Sequence, residues 1–189
     1  MLSVAALGAV TALACIAGAV AATSKTVVLS DPRDDVSGAL DLQRGSLGLG
    51  ADGRLRAVIT LVGKIDPKVM LAGSGPPGSV CLRIWTAAGA DPQATPPDRL
   101  VCVTARGDDE LRASVLEQDD PGLPRRVGAA SVRVNESARS FVVRIAQSSL
   151  GRPESIRFAI ESTRPGCERV SCIDTMPDKG AVRRLRIRD

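Results

Sequence analysis

From Lys25 onward the apolar residues of this chain recur at every second position, and that period restricts the fold more than any other feature of the sequence. In "RLRAVITLV" the residues Leu55, Ala57, Ile59 and Leu61 share one face. In "SVCLRIWT" Val80, Leu82 and Ile84 oppose Cys81, Arg83 and Trp85, and in "RLVCVTAR" Val101 and Val103 oppose Leu100, Cys102 and Thr104. "SVRVNES" sets Val132 and Val134 against Arg133, "SFVVRIAQ" sets Phe141, Val143 and Ile145 against Arg144, and "SIRFAIEST" sets Ile156, Phe158 and Ile160 against Arg157. A strand sends successive side chains to opposite faces, so this alternation describes antiparallel strands covered by a core on one side only.

Turn chemistry separates the runs. Asp52-Gly53 is a strong hairpin signal, and "GSGPPGS", "ADPQATPPD" and "DDPGLPRR" read as loops. A short helix is expected in "DPKVMLAG", with Asp66 as N-cap, Pro67 at the first helical position and Gly73 as terminator. About eight or nine short strands at this spacing make an all-β domain, an antiparallel β-sandwich of jelly-roll or immunoglobulin-like type, in preference to a closed barrel. Aromatic residues are only 2% of the chain (Trp85, Phe141 and Phe158), so the core is expected to be aliphatic.

The first 25 residues, "MLSVAALGAVTALACIAGAVAATSK", carry no charged side chain before Lys25 and end in small residues. Ala19-Val20-Ala21 has the form of a signal-peptidase site, with Val20-Ala21-Ala22 as a second option. The expectation is a signal peptide over residues 1–22 and a single domain over 23–189, secreted to an extracellular compartment. The alternative is an apolar run retained as an anchor at the outer face of a membrane.

Export explains the cysteines. Beyond Cys15 there are four: Cys81, Cys102, Cys167 and Cys172. An even count in an oxidising compartment reads as two disulfides. Cys81 and Cys102 lie on the same phase of their strands, as a bridge requires if those strands pair. Cys167–Cys172 would close a small loop. A zinc half-site is the rival reading, and neither a histidine nor a C-x2-C pair supports it.

Three groups stand out as candidate sites. Asp31, Asp34 and Asp35 in "DPRDDVSGALDL" could offer carboxylates to Ca2+, although the spacing is not that of an EF-hand. The plainer reading is that they turn the chain and cap backbone N–H groups before a strand in "GALDL". Trp85 could stack on a sugar ring if exposed, or pack beneath the long loop 86–98. In "RRLRIRD", Arg184, Arg186 and Arg188 alternate with Leu185 and Ile187, so as a strand they would form a stripe suited to phosphate or an acidic polysaccharide. The plainer reading there is an edge strand kept soluble by charge.

Charge and composition narrow the function. The net charge is +4, of which residues 178–189 carry +3 (five basic residues less two acidic), so the body is close to neutral. With no aromatic platform and no recognition motif, nucleic acid is not an expected partner. There is no histidine, which removes the usual general base and any Ser–His or Cys–His site. None of Lys25, Lys64, Lys68 and Lys179 lies in an S-x-x-K motif. The chain is expected not to be an enzyme, and no cofactor other than Ca2+ suggests itself.

The segment from Asp31 to Gly63, "DPRDDVSGALDL" followed by "DGRLRAVITLVG", resembles the opening of extracellular β-sandwich modules of the DOMON and family-9 carbohydrate-binding type. Those begin with an Asp-rich turn, a strand and a hairpin into an alternating apolar strand. "GPPGSVCLRIWT" and "CIDTMPDKG" resemble segments of secreted proteins of unassigned function from GC-rich bacteria. The first resemblance covers about a fifth of the chain and implies a sandwich with Ca2+ near the aspartates. It carries no ligand residues over, because haem-binding members use histidine and methionine and histidine is absent here, and sugar-binding members use aromatic clamps, which are also absent. The leading expectation is a secreted, non-catalytic binding or structural module at the cell surface, with a protein or an anionic cell-wall polymer as partner. A carbohydrate-binding module using Trp85 is the second, and a hydrolase acting through carboxylates the third.

Overall fold

Alternating sequence becomes antiparallel sheet throughout. The computed structural model describes residues 25–31, 38–118, 123–167, 172–178 and 180–188. The strands are β1 (Thr26–Ser30), β2 (Leu42–Leu49), β3 (Leu55–Leu61), β4 (Ser79–Trp85), β5 (Arg99–Ala105), β6 (Leu111–Glu117), β7 (Arg125–Asn135), β8 (Ser140–Ile145), β9 (Ser155–Thr163), β10 (Ile173–Met176) and β11 (Arg183–Arg186). Two 3-10 turns, Pro67–Met70 and Gln147–Leu150, are the helical content among the described residues.

The strands form one antiparallel sheet in the order β1-β2-β3-β8-β7-β6-β5-β4-β9-β10, with β11 also on β9. The long strand β7 is the bend. Its first half pairs with β6, through Arg125 to Ala130, and its second half pairs with β8, through Ser131 to Asn135. One leaf is therefore β1-β2-β3-β8-β7 and the other β7-β6-β5-β4-β9 with β10 and β11 end to end along β9. The leaves face each other and the sheet is nearly closed into a barrel.

Between the leaves lies an aliphatic core, with Phe141 and Phe158 as its only aromatics. The inward phase of each strand supplies it: Leu55, Ala57, Ile59 and Leu61 from β3, Val80, Leu82 and Ile84 from β4, and Ile156, Phe158 and Ile160 from β9. Each such side chain contributes about 1.5–3 kcal/mol on leaving water. Where the open edges approach, Gly45 of β2 lies against Ile160 and the Met176 side chain, a contact that leaves no room for a Cβ.

Several boundaries differ from the sequence expectation. The described strands number eleven, not eight or nine. Strands β1 ("TVVLS") and β6 ("LRASVLE") were too short or too irregularly patterned to register as alternation. "GALDL" is not a strand. Gly38 to Leu40 make a turn, with Gly38 at φ +142°, and β2 starts only at Leu42. Arg125 and Arg126 belong to β7 rather than to a loop, because they pair with Glu117 and Leu116. The expected helix is a single 3-10 turn. Asp66 caps it by accepting from Lys68 N–H and Pro67 opens it as expected, but it ends at Leu71 instead of Gly73. The proposed signal peptide, Asp34 and Asp35 lie outside the described residues, and no described helix is long and apolar enough to cross a membrane.

Candidate functional site

Strand β4 breaks the rule of one covered face. Its burial is nearly continuous, because the loop 86–98 and the link between β10 and β11 lie over its outer side. Trp85 is 1% exposed, and its indole N–H donates to the Thr95 carbonyl at 3.0 Å. Asp98 holds the same loop from its base. One carboxylate oxygen accepts from Thr86 N–H (2.6 Å), Thr86 Oγ1 (2.9 Å) and Ala87 N–H (3.3 Å). Arg157 of β9 donates to the Ala90 carbonyl at the loop's far side. A tryptophan so covered has no free face for a sugar ring, so the exposed-platform reading of Trp85 does not hold. The reason is the loop, whose many prolines and turn residues fold it back over β4.

Beside Trp85 is a cleft of about 290 Å³, floored by Arg83, Trp85 and Ala159 and walled by Pro92, Gln93 and Pro177. The Arg83 guanidinium carbon is 5.2 Å from the Trp85 ring centroid, and Arg83 Nη1 is 3.4 Å from Glu161 Oε2. Burial raises the Glu161 carboxyl above its ordinary value, and the Arg83 charge pulls it part of the way back. The cation on the floor is thus already engaged by a ring and a carboxylate. The other polar side chains lining the cleft are Gln93 and Thr175, which pair no base with a nucleophile.

Cys81 and Cys102 are direct partners in the β4–β5 register, are joined in a disulfide with Cα atoms 4.0 Å apart, and are both buried. Cys167 and Cys172 are joined likewise, with Cα atoms 6.0 Å apart. The first bridge locks neighbouring strands, and the second closes a short loop between β9 and β10.

Of the three candidate aspartates, Asp31 is the one within the described residues. Asp31 is buried, and its backbone N–H donates to Gln43 O, extending the β1–β2 ladder. Among the described residues no three carboxylate or thiol groups stand close enough to hold a metal ion. The buried carboxylates that sequence reasoning missed are Asp41 and Asp174. Asp174 Oδ2 accepts from Leu42 N–H, and nearby Ser162 Oγ donates to the Leu40 carbonyl. Both hydrogen bonds cross the seam between the leaves.

The C-terminal stripe forms. In β11 Arg184 and Arg186 are exposed about buried Leu185, and Arg188 is exposed beyond the strand. Arg184 donates to Ser155 Oγ. A second basic surface went unnoticed in the sequence, on the outer face of the first leaf. There Arg56, Arg133 and Arg144 line an open trough of about 710 Å³ with Ser131, Asn135 and Val142. Each of these arginines was legible as the outward residue of its own strand, but only the strand register brings them together. No family model, no curated protein and no solved structure matches this chain.

Proposed function

We propose that the chain is an exported module that works at the cell surface by binding an envelope partner, its two leaves acting as the layers of a β-sandwich behind a cleavable signal peptide over residues 1–22. The observation that carries this reading is the pair of disulfides, Cys81–Cys102 and Cys167–Cys172. Such bonds persist in oxidising compartments and are rare in the cytosol. Binding is favoured over catalysis by chemistry: the chain has no histidine, and Arg83 on the cleft floor is paired with Glu161. The partner is a protein or an anionic polymer of the envelope, met through outward-facing arginines of the sheet. A calcium ion held by Asp31 with Asp34 and Asp35 remains part of the proposal, and a rise in melting temperature in millimolar Ca2+ tests it.

Expression of the full chain with its own N-terminus, followed by fractionation, tests the main reading. The expected product is outside the cytoplasm, begins near residue 23, is oxidised, and is recovered with envelope material after mild cross-linking. A full-length, reduced product in the cytosol overturns it.

A further inference from the structure

The geometry points to the trough on the first leaf as a binding site for a linear phosphate-bearing polymer, with Arg56, Arg144 and Arg133 as its contacts. This deepens the reading of the chain as an envelope-binding module by naming the ligand chemistry. Arg56 of β3 and Arg144 of β8 are direct partners in an antiparallel register. Like charges so placed destabilise a sheet. Arg144 is in turn opposite Ser131 of β7, and Arg133 lies two residues further along that strand, a diagonal neighbour at roughly 7–8 Å. Three guanidinium groups thus form a staggered line across three strands.

Among the described residues no ion pair answers that charge, and Arg56, Arg133 and Arg144 donate no hydrogen bond. Glu136 is the one carboxylate lining the trough, and it sits past Asn135 at the β7–β8 turn. Asn135 pairs with Ser140, four residues along β8 from Arg144, or roughly 13 Å. On the second leaf, outward Arg83 and Arg99 pair with Glu161 and Glu117, and Arg112, which has no ion pair among the described residues, stands opposite the neutral Thr104. The C-terminal Arg184 is directly opposite Arg157, but each donates to a protein oxygen. Among the described residues, a direct Arg–Arg pair with neither partner hydrogen-bonded is found at the trough, and a bound anion would relieve its repulsion.

Phosphate fits better than carboxylate. One carboxylate presents two oxygens, enough for one guanidinium fork. Arg56 and Arg144 stand only one strand spacing apart, and neighbouring phosphates of a chain, each with two non-bridging oxygens and a full charge, lie close enough together to give each fork its own acceptors, whereas the side-chain carboxylates of an acidic peptide are spaced more widely. Arg133, one diagonal step away, reaches a phosphate further along the chain. The staggered line suits a linear polymer in preference to isolated ions.

The test measures affinity of the purified oxidised protein for inorganic polyphosphate at low salt, beside poly-glutamate and vesicles containing phosphatidylglycerol. Polyphosphate is expected to bind most tightly. Arg56→Gln, Arg144→Gln and Arg133→Gln are each expected to weaken it on the order of tenfold, while a variant with Arg184, Arg186 and Arg188 all changed to Gln retains it. Arg144→Gln is also expected to raise the melting temperature slightly without ligand, because it removes the repulsion with Arg56. Polyphosphate binding that ignores the trough variants, follows the C-terminal ones, or is matched by poly-glutamate or by the vesicles overturns the site. So does the absence of polyphosphate binding. None of these results bears on export, which the fractionation above reads separately.

Discussion

Asp174 on β10 accepts a hydrogen bond from the backbone N–H of Leu42 on β2 at 2.7 Å, across 132 residues of chain. The two strands are near opposite ends of the strand order, so this bond ties the seam where the sheet nearly closes. Asp174 is 1% exposed, and truncating it strands a buried N–H without water. Asp174→Ala is expected to cost about 1–3 kcal/mol, the penalty for leaving a buried donor without its partner. Asp174→Asn keeps an acceptor and is expected to lose less. Urea denaturation of both variants checks the order, and equal midpoints for wild type and Asp174→Ala would contradict it.

Backbone proximity at the same end of the molecule makes a second prediction. A Cβ on Gly63 would stand 2.9 Å from Ala39 Cα and 3.1 Å from Ala39 O, and backbone cannot swing aside. Gly63→Ala is expected to destabilise by about 1–3 kcal/mol, the usual range for overpacking. Exposed Gly73 has nothing within 4 Å of such a Cβ, so Gly73→Ala is expected to stay within about 0.5 kcal/mol of wild type. Thermal melts of the pair test the contrast.

The loop over β4 depends on Asp98 and Trp85. Trp85 is the only tryptophan, so its emission reports this loop alone. The wild-type emission is expected to be that of a buried indole. Asp98→Ala removes the acceptor for Thr86 and Ala87 and is expected to shift the emission to the red and to expose residues 87–97 to protease. Unchanged emission and digestion would show that the loop stays closed without the carboxylate.

Glu161 predicts a pH dependence. Burial is the larger influence and holds its carboxyl above the ordinary value, while Arg83 opposes the shift. A carboxyl raised in the folded state binds more protons there than in the unfolded chain. Between the unfolded and folded values the protein therefore loses stability as pH rises, and below the unfolded value the difference vanishes. Glu161→Gln cannot titrate, so its stability relative to wild type is expected to rise as pH climbs through that window towards neutrality. Denaturation midpoints at a series of pH values test this, and a difference that stays flat or runs the other way contradicts it.

The fold was legible where one face of a strand meets the core and the other meets water, as in β3, β8 and β9. It was not legible in β1, too short and exposed to alternate clearly, nor at Leu42, where the strand starts beside a buried aspartate from a distant segment. Phase put Cys81 and Cys102 on matching faces, but their pairing also needed β4 and β5 to be neighbours, which the register supplies. The covering of Trp85 depends on how a loop lies in space, which periodicity does not encode. The trough escaped notice for a similar reason: Arg56, Arg133 and Arg144 are separated by long stretches of sequence and become neighbours only through the register of β3, β8 and β7.

The central claim is a sheet stapled in an oxidising compartment. In the chain-entropy account, the Cys81–Cys102 bond contributes about 3 kcal/mol and the shorter Cys167–Cys172 loop about 2. The direct measurement is alkylation of the protein from its native compartment under denaturing, non-reducing conditions, followed by mass spectrometry of the intact chain and its peptides. The expected result is no label on Cys81, Cys102, Cys167 or Cys172, an intact mass about four hydrogens below the reduced form, and linked peptides joining Cys81 to Cys102 and Cys167 to Cys172. Label on all four cysteines would contradict the account.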